Sequence, residues 1–182
     1  MQNKIHKAQY APVFWFTGLP CAGKTTLSKA LSEYLRSLNH QVCHLDGDEV
    51  RALLPNTGFS AEDRTIHLRT VGFAARKLSE HGIFVTASFV SPGEAQRKIV
   101  ENLCPNFTVI YVSTPLSECE ERDVKGMYKK ARKGDIKDFT GIDAPFEPPA
   151  SPDITIDTQG KGIQICLDEI IRFLNSHGKL DS

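Results

Sequence analysis

Residues 18–25 of the chain read Gly-Leu-Pro-Cys-Ala-Gly-Lys-Thr, a complete match to the spacing G-x-x-x-x-G-K-S/T. They stand between an apolar, β-rich run at 13–17 (VFWFT) and a stretch with helical spacing. A strand that ends in such a loop and passes at once into a helix restricts the chain to a phosphate-holding α/β architecture. Gly18 and Gly23 let the backbone curl until successive N–H groups point at one place, and the helix beginning near Lys24 aims its positive end there. Leu19, Pro20, Cys21, Ala22 and Thr26 complete the cradle for ATP phosphates. Lys24 is expected to reach the β- and γ-phosphates, and the Thr25 hydroxyl to ligate Mg²⁺.

Further apolar runs at 41–45, 83–89, 107–112 and 153–157 alternate with helical stretches, which predicts α/β with a mostly parallel sheet of about five strands. With the loop above, this is a P-loop NTPase-type three-layer sandwich. Thr26, Leu27, Ala30, Leu31, Leu35 and Leu38 recur at three- and four-residue steps, the buried face of a crossover helix. Ser60 with Asp63 has the shape of a capping box for a helix through Leu78, ended by Gly82. Thr114-Pro115 predicts a cap and first turn for a short helix through Glu121, and Ile163 to Leu174 a last amphipathic helix.

A length of 182 residues suits one domain with one active site. From Arg122 to Pro149 the chain is rich in charge, Gly and Pro with little apolar periodicity, so 122–149 is expected to be a mobile lid over that site. Lys and Arg together number 22, as do Asp and Glu. Without net charge the chain has no general hold on a nucleic acid or an acidic membrane, and phosphate binding must be local. No signal-like run and no stretch of about eighteen apolar residues occurs, which predicts a cytoplasmic protein. The five cysteines are widely spread without a C-x-x-C pair, which predicts reduced thiols.

A phosphate loop leaves the reaction open, and the acidic residues decide more. Asp46-Gly47-Asp48 follows the second predicted strand, at the sheet edge where open α/β folds bind ligands. The third predicted strand carries no Asp or Glu, so Asp46 is the candidate to hold a metal-bound water or to orient and deprotonate an attacking hydroxyl. Asp48 is its understudy, or else the N-cap of the turn that follows. No N-K-x-D motif is present to read guanine.

In order, GLPCAGKTT, LDGDEVR, GFSAEDR, FVSP, ERDVKGMYKKAR and DFTGIDAPFEPP resemble the adenylyl-sulfate kinase family, from about Phe14 to Pro152. The resemblance implies transfer of phosphate from ATP to the 3′-hydroxyl of adenylyl sulfate, a small nucleotide acceptor. Mg²⁺ and commonly a homodimer are implied with it. Arg51 and Arg64 offer guanidinium forks to the acceptor's anionic groups. By similarity Phe59 and Phe139 sandwich its adenine, His67 and Lys125 face it, and Arg122 and Arg132 serve the ATP side. Lys125, Lys129 and Arg132 place positive charge where it steadies the transferred group. Ser91 corresponds to a serine assigned in the family as a phosphoserine intermediate, whereas the residues themselves read as a helix N-cap with Pro92 at the first helical position. We expect the capping and acceptor-binding role.

The chain departs from the family pattern at His67, where an Asn is usual, at Thr70, where an Arg is usual, and at Gly93, where an aromatic is common. Two alternatives therefore stay open at this point. One is a kinase of the same build acting on another nucleotide-linked acceptor, such as cytidine diphosphoramidate in capsule biosynthesis. The other is a nucleotide-binding regulatory module without turnover.

Overall fold

The computed structural model describes residues 10–53 and 60–180. Five parallel strands form one sheet in the order β2-β3-β1-β4-β5, with β1 Val13–Thr17, β2 Val42–Asp46, β3 Phe84–Ser88, β4 Phe107–Ser113 and β5 Ile154–Asp157. Because β1 is central and covered on both faces, all five of its residues are buried, which explains its unbroken apolar run. Phe14 and Phe16 point into a core shared with α1 (Lys24–Ser37) and α7 (Ile163–Ser176). Val13 and Trp15 point the other way, toward α3 (Ala61–Glu80) and α4 (Glu94–Leu103). The Trp15 ring stacks on Phe89 at 4.8 Å. Emptying that position with Trp15→Ala would cost about 3–5 kcal/mol. Among the described residues no helix is long and apolar enough to cross a membrane.

The predicted strands hold to within a residue or two. On α1 the buried face differs in detail: Thr26 and Leu38 are exposed, and Ser28 and Ser32 are buried beside Leu31 and Leu35. Leu38 lies past the last helical turn as its C-cap, while the two serine hydroxyls satisfy themselves on Thr25 O and Ser28 O. The capping box of α3 is present, with the Asp63 N–H donating to Ser60 Oγ at 3.1 Å. At Thr114 the expectation fails. Pro115 is the N-cap of α5 (Leu116–Arg122), and the Thr114 hydroxyl donates instead to Ala22 O at 2.9 Å, tying β4 to the phosphate loop.

Two short helices escape the periodicity argument. Gly47–Leu53 forms α2, which buries no residue and so has no apolar stripe to read. Met127–Arg132 forms α6 inside the expected lid, and it buries Tyr128 and Ala131.

Candidate active site

The phosphate loop turns where β1 ends, and the turn is closed from behind. Gly18 has φ 152°, and a Cβ there would lie 2.4 Å from Val112 O, so no side chain fits. Gly23, left-handed at φ 103°, is the N-cap of α1, and it supplies no side-chain acceptor to the first-turn N–H groups. The residues that carry those donors line the cleft. Lys24 is 8% exposed, and its ammonium donates to Leu19 O at 2.7 Å. Burial draws its pKa down to about 8 against the opposing pull of Cys119, Cys21, Asp46 and Asp48.

One residue further on, the Thr25 hydroxyl donates to Asp46 Oδ2 at 2.8 Å. Ser88 Oγ donates to the same oxygen at 2.8 Å, because Asp46 and Ser88 are register partners at the ends of β2 and β3. Asp46 Oδ1 accepts the Asp48 N–H at 2.9 Å, so Asp46 and not Asp48 caps α2. Burial pushes the Asp46 carboxyl up, but the bonds from Ser88, Thr25 and the backbone N–H groups of Asp48 and Glu49 outweigh it and hold it below the ordinary range. Asp48 stands in the first turn of α2, exposed, and accepts from Lys125 Nζ at 2.5 Å. Ser88 was not foreseen as part of this knot, since a serine in a strand carries no sequence signal of its own.

Ser91 is not a helix cap. The N-cap of α4 is Gly93, and Ser91 sits before it with φ 36°. Its hydroxyl accepts from Trp15 Nε1 at 3.1 Å and donates to Thr17 Oγ1 at 3.0 Å, and its carbonyl accepts from the buried Arg97 at 2.7 Å. Donor and acceptor capacity are both engaged within the floor of the cleft, and the residue is 3% exposed.

The segment 122–149 lies along the cleft but is not uniformly loose. Tyr128 is 1% exposed, donates to Pro20 O at 3.0 Å and meets the Phe139 ring edge-on at 5.0 Å, so α6 rests directly on the phosphate loop. At its far end, the Glu147 carboxylate accepts the Glu94 N–H at 2.8 Å and the Glu147 N–H donates to Pro92 O at 2.8 Å. Arg122 reaches Cys21 O and Ala22 O from the side of the loop and pairs with Glu118. Arg132 points elsewhere. It is paired with Glu120 at 2.6 Å on the outer side of α6 and does not line the cleft, because the inner face of that short helix is taken by Tyr128 and Ala131.

Arg51 and Arg64 both line the cleft. Arg64 donates to Thr140 Oγ1 at 2.7 Å and to Asp138 O at 2.6 Å, joining α3 to the segment that carries Phe139. His67 also lines the cleft, 2% exposed. Phe59 lies outside the described residues. Thr70 does not face the acceptor wall: it is exposed, and its hydroxyl bonds back to Ile66 O at 3.0 Å. At Gly93 an added Cβ would come within 3.8 Å of Glu147 Oε2, which places that departure beside the anchor of the 122–149 segment.

Together these walls enclose a cleft of about 1030 Å³. It is lined as well by Thr158, Lys161 and Ile163, where β5 passes into α7, with Thr158 Oγ1 donating to Ala22 O of the phosphate loop at 3.4 Å; none of the three was foreseen. Their signal was only positional, at the carboxyl edge of the last strand.

The family model described as Adenylylsulphate kinase matches residues 10–157. An adenylyl-sulfate kinase of Synechococcus sp. (strain JA-3-3Ab) is 47% identical over 167 residues, covering 91% of this chain and 95% of that protein. One from Staphylococcus epidermidis is 44% identical over 179 residues, covering 97% and 90%. The structure of the Mycobacterium tuberculosis APS kinase CysC in complex with AMPPNP and APS superposes with a TM-score of 0.87 at 33% identity, covering 91% of this chain and 98% of that one.

Proposed function

The chain belongs to the adenylyl-sulfate kinase family, and on that premise we propose that its cleft transfers the γ-phosphoryl group of ATP to the 3′-hydroxyl of adenylyl sulfate. The products are ADP and 3′-phosphoadenylyl sulfate. The observation that carries this reading is one cleft lined both by the phosphate loop and by the Arg51 and Arg64 guanidinium groups. Donor and anionic acceptor then meet between them.

Thr25 and Asp46 offer oxygen donors on the same spot, a set that suits Mg²⁺, and these two residues would hold it. When bound, Mg²⁺ neutralises charge on the β- and γ-phosphates. Lys24 exchanges its bond to Leu19 O for phosphate oxygens. Asp46, braced by Ser88 and held ionised, fixes the position of Thr25 and of the α2 N-terminus. Asp46 was the first candidate for the base, but its oxygens are engaged by Thr25, Ser88 and the Asp48 N–H, so the exposed Asp48 orients the acceptor hydroxyl and takes its proton as the bond from the 3′-oxygen to phosphorus forms and the β,γ-bridging bond breaks. Lys125, freed from Asp48, steadies the transferred oxygens. Transfer is direct, since the Ser91 hydroxyl is already engaged by Trp15 and Thr17.

The same reading makes the chain one kinase domain in which 122–149 closes over the bound substrates, acting in the cytoplasm as a homodimer. Ile66 and Phe73, exposed and seven residues apart on one face of α3, support a self-associating surface. Lys24→Ala tests the reading. Transfer to adenylyl sulfate should fall by at least about 10³-fold in a folded variant. Turnover within a few-fold of wild type would remove the loop from the chemistry.

A further inference from the structure

Where β3 ends, Phe89, Val90, Ser91 and Pro92 form a turn that lines the cleft. Three consecutive carbonyls of this turn are each fastened from a different element. Val90 O accepts from Thr17 Oγ1 of β1 at 2.8 Å, Ser91 O from Arg97 Nη1 of α4 at 2.7 Å, and Pro92 O from the Glu147 N–H at 2.8 Å. The Ser91 side chain closes the set, since Trp15 Nε1 donates to its oxygen and it donates in turn to Thr17 Oγ1. These bonds hold a backbone that local preference opposes. Ser91 has φ 36°, which is uncommon for a residue with a Cβ and persists only where the surroundings impose it.

Among these fastenings Arg97 is the one that stability does not explain. Its guanidinium lies inside the fold and forks between Ser91 O and Glu94 Oε2, the latter at 2.7 Å. Taking such a charge out of water offsets much of what its ion pair returns, and apolar residues of similar volume often hold a fold as well. What an apolar side chain does not supply is a donor to Ser91 O. Arg97 does not line the cleft; it lines a second hollow of about 340 Å³ between α4 and the 149–153 stretch. Glu94 carries the connection onward, because its N–H donates to the Glu147 carboxylate at 2.8 Å.

The turn belongs to the acceptor side. A Cβ on Gly47 of α2 would lie 3.1 Å from the Phe89 ring, and the His67 ring of α3 stands 5.7 Å from it. α2 and α3 also carry Arg51 and Arg64, whereas the ATP phosphates belong to the loop after β1.

We propose that Arg97 is a positioning residue for the acceptor: by holding Ser91 O it keeps the 89–92 turn in the shape that adenylyl sulfate meets, without touching either substrate. This rests on the reading of the cleft as an adenylyl-sulfate site. Loss of the guanidinium frees the Ser91 carbonyl and lets the strained φ relax, which shifts the acceptor side of the cleft. The phosphate loop keeps its own braces from Thr114, Tyr128 and Arg122. Acceptor binding therefore weakens while ATP binding is nearly unchanged.

The test is steady-state kinetics of wild type, Arg97→Ala and Arg97→Lys, each substrate varied with the other saturating, with and without guanidinium ion at concentrations far below those that unfold proteins. In Arg97→Ala the KM for adenylyl sulfate should rise at least about tenfold, the effect of one lost charge-assisted bond, while the KM for ATP changes by less than about twofold. Guanidinium should restore much of the loss, because the emptied space opens on the second hollow, and should not help wild type. Arg97→Lys keeps the charge but has no fork to serve Ser91 O and Glu94 together, so its KM for adenylyl sulfate should fall between the two. An unchanged KM for adenylyl sulfate in Arg97→Ala would overturn the proposal. So would an equal rise of both KM values without rescue, which is what a merely structural arginine gives. Should Arg97→Ala fail to fold, Arg97→Lys decides, since the same split must appear there and wild-type KM values overturn it. No turnover of adenylyl sulfate by wild type would overturn the functional reading and this proposal together, whereas wild-type turnover without the split in the variants overturns this proposal alone.

Discussion

The Thr25 hydroxyl and the Asp46 carboxylate, 21 residues apart in the chain, meet at 2.8 Å and join the first turn of α1 to the last residue of β2. Asp46→Asn keeps the size of the side chain and one carbonyl oxygen for the Asp48 N–H, so α2 should remain capped. What disappears is the negative charge between Thr25 and Ser88. Turnover should fall by about 10²–10⁴-fold while ATP affinity changes much less, as measured by kcat and KM under saturating adenylyl sulfate. A defect confined to the KM for ATP would make Asp46 a ground-state contact.

Lys24 gives a prediction in pH. Burial lowers its pKa to about 8, so before ATP binds the ammonium is lost as pH rises through that value. Phosphate binding needs the charged form, and the KM for ATP should therefore be level from about pH 6 to 7.5 and climb above about 8. The stability of the free protein should move the opposite way. A lysine depressed in the folded state binds protons less well there than in the unfolded chain, so the penalty of its charge is relieved as pH rises from about 8 toward the unfolded value. A KM for ATP that stays level to pH 9.5 would show that the loop keeps its cation charged.

Much of this was legible beforehand because the chain's strongest signals are local. The loop at 18–25 needs glycine at two fixed places, and the strand before it is apolar throughout because both of its faces are covered. The capping box at Ser60 and Asp63 is likewise a three-residue matter. What escaped depends on partners distant in sequence. Ser91 reads locally as a cap before proline, but the indole of Trp15, 76 residues away, and the hydroxyl of Thr17 claim its side chain. Thr70 departs from the family pattern where an Arg is usual, and only the fold shows that it is turned outward, its hydroxyl bonding back to Ile66 O. Tyr128 sat in a charged stretch without periodicity, and only the fold shows that α6 is seated on Pro20.

That seating changes what kind of lid is expected. With α6 fixed by Tyr128 and the far end fixed by Glu147, motion should concentrate in 133–138, where the chain is exposed apart from a half-buried Ile136. Limited proteolysis should cut there in the free protein and be suppressed by ADP, Mg²⁺ and adenylyl sulfate together, with 127–132 protected throughout. Tyr128→Phe removes one hydrogen bond, worth about 1 kcal/mol, and should extend cleavage into α6. Equal cutting of 133–138 with and without ligands would mean that this stretch does not close.

The most direct test is the fate of one phosphoryl group. ATP labelled in the γ-phosphate and incubated with adenylyl sulfate and wild-type protein should yield one ADP for each adenylyl sulfate consumed, with the label on the 3′-oxygen of the product and none on the protein. ADP release at the same rate with and without adenylyl sulfate, or transfer to a cytidine diphosphate derivative in its place, would contradict the assignment.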